Sequence, residues 1–90
     1  MSEAQDRLIS FASVHQAIKA ETLLARAGLA VTPLPTPREI SVSCGQCLLF
    51  AAKDQNQVLA ILELHGVVWS KLFSRELRVY ELLCEYGRKL

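Results

Sequence analysis

Cys44-Gly45-Gln46-Cys47 is the segment of this chain best equipped for chemistry. Two thiols with two residues between them can exchange a disulfide, attack a sulfur atom carried on either one, or supply two ligands to a soft metal. A third cysteine, Cys84, sits in an apolar stretch and reads as a packed residue, as free cysteine often is. An odd cysteine count argues against a secreted disulfide framework. Cys44 and Cys47 are therefore expected as thiols at rest in a reducing, cytoplasmic compartment.

Only the thiolate is reactive, and its pKa falls beside cations or at a helix N-terminus. Arg38, in the segment Pro35-Thr36-Pro37-Arg38-Glu39 that leads to the motif, is a candidate cation. Gly45 permits a tight turn or the close approach of a bulky sulfur donor, and reads equally as an ordinary turn glycine. Pro35 and Pro37 stiffen the approach to Arg38, as a preformed binding loop or a plain edge loop would require. His15, in the expected first turn of a helix, is a candidate ligand or hydrogen-bond acceptor, or simply a solvated side chain. His65 reads first as a group near the carbonyls that end a second helix. A zinc site would have to draw on Cys44, Cys47, His15 and His65, or on a second chain, because one CxxC provides only half of the usual ligands.

Length and composition narrow the classes. Ninety residues, 51% of them hydrophobic, suit one domain spanning 1–90 with a single core over about 7–73. A net charge of +1 with scattered Lys and Arg offers no basic stripe for a phosphate backbone, so no nucleic-acid partner is expected. No apolar run is long enough for a membrane span, and the polar start Met1-Ser2-Glu3-Ala4-Gln5-Asp6-Arg7 does not read as a leader. There is no Ser-His-Asp set, P-loop, dinucleotide glycine pattern or catalytic carboxylate pair. A conventional enzyme is therefore not expected, with redox activity left open.

The elements that must position the thiols follow from pattern. Leu8-Ile9-Ser10-Phe11 reads as a strand. Ser13 with Gln16 three residues on forms a capping-box signature for a helix with an apolar face at Ala17, Ile18, Ala20, Leu23, Leu24 and Ala27, stopped by Gly28. Leu29 to Leu34 reads as a second strand, held to a sheet edge by Pro33, and Thr36 to Gly45 as a loop. Cys47 to Ala52 reads as a buried strand with Cys47 at its start. Asp54 caps a second helix through Leu62 that stops at Gly66, and Val67 to Phe73 reads as a fourth strand. Helical spacing of Leu77, Tyr80, Leu83 and Cys84, with a second stripe at Val79, Leu82 and Tyr86, predicts a C-terminal helix over about 74–87.

This order predicts an α+β protein of the ferredoxin-like βαββαβ, split βαβ kind with an extra C-terminal helix. In that topology the end of the first strand, the start of the first helix, the loop before the third strand and the end of the second helix share one sheet edge. His15, Arg38, Cys44, Cys47 and His65 are then expected together there.

Phe11-Ala12-Ser13, Ala17, Ala20-Glu21, Leu23-Leu24 and Gly28, followed by Pro35-Thr36-Pro37-Arg38-Glu39-Ile40-Ser41 and Cys44-Gly45, resemble the small selenium/sulfur-carrier-like domain family. The resemblance covers the first half to two-thirds of the chain, and its most specific part is the segment from Pro35 to Gly45. It implies a protein that holds sulfur or selenium on Cys44, needs no cofactor, and meets donor and acceptor proteins. Cys47 departs from the family's simpler pattern. As a second thiol it could release the carried atom by closing a disulfide, which strengthens the alternatives of a CxxC dithiol redox module or a zinc-binding interaction module. The expectation is a carrier with Cys44 as carrier thiol and Cys47 as resolving or auxiliary thiol. The two apolar stripes of the tail also predict a homodimer through the tail helix and the open sheet face, with Tyr80 and Leu83 central.

Overall fold

The computed structural model describes residues 5–11, 13–35, 46–76 and 79–86. Among them are two helices and a five-stranded antiparallel sheet, an α+β architecture. In chain order these are β1 (Arg7–Phe11), α1 (Val14–Arg26), β2 (Thr32–Pro35), β3 (Gln46–Phe50), α2 (Gln55–Leu64), β4 (Lys71–Glu76) and β5 (Val79–Glu85), with a 3₁₀ turn at Ala52–Asp54 leading into α2. The sheet order is β2-β3-β1-β4-β5, so β3 lies between β1 and β2 although it follows both in sequence.

Period-two alternation divides the core between the sheet's two faces. Ile9 and Phe11 of β1, Leu48 and Phe50 of β3 and Leu72 of β4 pack with Ala17, Ala20 and Leu24 of α1 and Val58 and Leu62 of α2. The intervening residues Leu8, Cys47, Leu49 and Phe73 form a second buried cluster on the other face, joined by Leu34 and Tyr80.

Both helices end on the same device. Gly28 and Gly66 have φ of 83° and 68°, a left-handed backbone that costs a side-chain-bearing residue a Cβ–carbonyl clash. After α1, Gly28 N–H bonds Ala25 O and Leu29 N–H bonds Leu24 O, each at 3.0 Å; after α2, Gly66 N–H bonds Glu63 O and Val67 N–H bonds Leu62 O. These are Schellman motifs, and the second closes the expected apolar contact because Leu62 and Val67 are both fully buried. Ser13 holds the N-cap position of α1 with extended φ and ψ, but its hydroxyl makes no capping bond, so the capping box does not form.

The C-terminal helix over about 74–87 is overturned: this stretch supplies the end of β4 and all of β5, which form an antiparallel pair. Phe73 faces Leu82 and Leu72 faces Cys84, leaving Leu83 as the extra residue of a β-bulge. That insertion shifts the alternation by one, so Tyr80 joins the second cluster while Leu83 and Cys84 pack on the helix-side core. The resulting spacing imitates a helical period. The tail-helix contact expected to build a homodimer falls with the helix. Two strands are also displaced: Leu29 is spent in the Schellman motif, so β2 starts at Thr32, and β4 starts at Lys71 rather than Val67.

Candidate functional site

The strand register locates the sheet edge where the CxxC segment enters. Phe11 at the end of β1 and Pro35 at the end of β2 both stand opposite Gln46, the first residue of β3. The connection between β2 and β3 therefore leaves and returns beside the point where β1 passes into α1. Arg38, Cys44 and Gly45 lie outside the described residues, and so does the expected loop from Thr36 to Gly45.

Cys47 is fully buried. As the second residue of β3 it points into the cluster of Leu8, Leu49 and Phe73, flanked across the ladders by Ser10 on β1 and Leu34 on β2. Burial removes it from direct reach of a macromolecule.

His15 is exposed in the first turn of α1, and His65 is exposed where α2 ends. The two helix ends are tied together: Lys19 Nζ donates to His65 O at 3.3 Å, and Val68 N–H donates to Gln16 Oε1 at 3.1 Å. The structure brings α1's first turns and the end of α2 to one place. It does not bring the histidines to Cys47, because the helices cover one sheet face and the Cys47 thiol lies on the other. Among the described residues no group of three or more His, Cys, Asp or Glu side chains could hold a metal ion.

Two residues matter at this edge, one that motif reading passed over and one that it put to another use. The Ser10 hydroxyl, on the face of Cys47, accepts from Lys71 N–H at 3.1 Å and donates to Lys71 O at 3.3 Å. It takes up the peptide groups of the first residue of β4 and so fixes the strand beside β1. The signal was alternation, which puts Ser10 on the same face as Leu8. Gln16, assigned to a cap, instead accepts from the chain after α2, and nothing local in the sequence distinguishes those uses.

Cys84 is partly buried on β5, and desolvation pushes its thiol pKa above the ordinary value, which makes it a weaker nucleophile at neutral pH. At the opposite end of β1, Asp6 Oδ1 accepts from Ala52 N–H at 2.8 Å and Arg7 Nε donates to Gln55 Oε1 at 2.8 Å. Those contacts fasten the start of α2 to the first strand and are structural.

With a five-stranded antiparallel sheet, two helices on one face and Cys47 as the second residue of β3, the class is a small α+β domain. The model of the family described as "Putative Se/S carrier protein-like" matches residues 6–74, and the chain belongs to that family. The match takes in β1 to β3, both helices and the first four residues of β4, and stops before β5. No curated protein and no solved structure matches the chain. No helix among the described residues is long and apolar enough to cross a membrane.

Proposed function

We propose that the chain is a sulfur or selenium carrier in which Cys44 is the carrier thiol and Cys47 the auxiliary one. The Cys44 thiolate attacks the terminal sulfur of a donor persulfide; a new S–S bond forms, the donor's S–S bond breaks, and the donor leaves as a thiolate. Cys44 then bears the sulfane atom, and an acceptor thiolate removes it by the same displacement. Arg38 and the N-terminal turn of α1 around His15 supply positive potential to the anion, and Gly45 leaves room for the donor. Attack of Cys47 on the inner sulfur would release hydrosulfide and close the Cys44–Cys47 disulfide. No bound cofactor enters this cycle. Donor and acceptor proteins are its partners, and a reducing cytosol is its setting.

Membership of the Se/S carrier-like family is the observation that carries this reading. The burial of Cys47 supports the division of labour, since only a sulfur reachable by another protein can receive its cargo. We also read the strand order β2-β3-β1-β4 as the ferredoxin-like arrangement with β5 added at its edge.

Intact-protein mass spectrometry of the reduced chain after incubation with a persulfide donor tests the proposal. The expected result is a gain of one sulfur that is lost in Cys44→Ser and longer-lived in Cys47→Ser. An unmodified chain under conditions that load a known carrier overturns it. Loss of two hydrogens without gain of sulfur would mark a dithiol redox module, and a bound zinc ion a metal site.

A further inference from the structure

The two edges of the sheet are not equivalent. β2 is four residues long and contains Pro33 and Pro35, which lack the amide hydrogen needed to extend a ladder. β5 is seven residues long, has no proline or lysine, and exposes Val79 and Leu82. Among the described residues it is the last strand of the sheet.

The outward-facing peptide groups of β5 follow from the register. Arg75 N–H donates to Asp6 O at 2.9 Å, so the peptide groups of Arg75 face β1 and turn away from β5. Arg75 and its opposite residue Tyr80 are therefore a non-hydrogen-bonded pair, and the N–H and C=O of Tyr80 point off the sheet. By alternation Leu82 does the same, ahead of the bulge. Two outward-facing residues separated by one are complementary to a copy of themselves running the other way.

We infer that β5 pairs antiparallel with β5 of a second copy of this chain, about a two-fold axis at Glu81, joining two five-stranded sheets edge to edge. In this register Tyr80 of one copy stands opposite Leu82 of the other, which closes about four main-chain hydrogen bonds. Tyr80 and Leu82 lie on the sheet face of Phe73, so the pairing prolongs that apolar cluster across the axis and covers Leu82. On the other face Val79 meets Leu83 of the second copy. A formal charge of +1 per chain sets little long-range repulsion against association. The one unfavourable contact is Glu81 facing its own copy, opposite Ser74 within each chain.

Sedimentation of the full chain over a concentration series tests this. The expected result is a reversible monomer–dimer equilibrium, tightened roughly two- to fivefold by Glu81→Gln through removal of the like-charge pair. Leu82→Pro deletes an amide that β4 does not use, and should abolish the dimer while circular dichroism shows the sheet retained. Should that variant fail to fold, Leu82→Lys, which places like charges on the interface, must weaken the dimer instead. A chain that stays monomeric at its solubility limit overturns the inference, and so does a dimer unmoved by Leu82→Lys and Glu81→Gln.

Discussion

The side-chain carbonyl of Gln16 accepts the main-chain N–H of Val68 at 3.1 Å, joining the first turn of α1 to the segment that leaves α2. Together with the Lys19 Nζ to His65 O bond at 3.3 Å, it holds the end of one helix beside the start of the other. This is the edge at which β2 hands over to β3.

Gln16→Ala should therefore cost about 0.5–1.5 kcal/mol, the usual net worth of one hydrogen bond. Ser13→Ala should stay within about 0.5 kcal/mol because its hydroxyl caps nothing, below the usual loss for an N-cap serine. Urea unfolding of the two variants checks the order. A larger loss at Ser13 would restore the capping box.

Gly28→Ala and Gly66→Ala should each destabilise by about 1–2 kcal/mol, the cost of a left-handed backbone for an L residue. An added Cβ meets nothing within 4 Å at either site, so sterics with the rest of the fold contribute no further term. The two effects should add, since the glycines end different helices. Thermal unfolding of the single and double variants provides the measurement.

The thiols should label in a set order. Cys47 is fully buried and should react with a maleimide only as fast as the sheet opens, while Cys84 should react slowly without unfolding. Peptide mapping after timed labelling in rising urea distinguishes them. Rapid native labelling of Cys47 would contradict its place in the cluster of Leu8, Leu49 and Phe73.

Cys84 also gives stability a pH dependence of known sign. Its folded pKa is raised from 9.0 by desolvation, so the folded state favours the neutral thiol. The associated stability is fully present below the unfolded pKa and is lost as pH rises through the folded one. Unfolding free energies should fall on the alkaline side of 9.0 in the native chain. The fall should be shallower in Cys84→Ala.

Local signals in the sequence determined much of this protein. Gly28 and Gly66 ended both helices because a positive φ is a property of the residue itself, and Pro33 kept β2 at an edge because it has no amide to donate. The segment from Pro35 to Cys44-Gly45 carried the family resemblance, and the match over residues 6–74 is with that family. Tertiary structure decided the rest. The tail from Val79 to Glu85 became a strand because β4 offered it an unpaired row of peptide groups, and the bulge at Leu83 gave its apolar residues a spacing that imitates a helix. Gln16 turned to Val68 because a tertiary partner lay within reach. Cys47 went to the face away from both histidines because strand residues alternate, and which face the helices cover is fixed only when β1, β3 and β4 assemble.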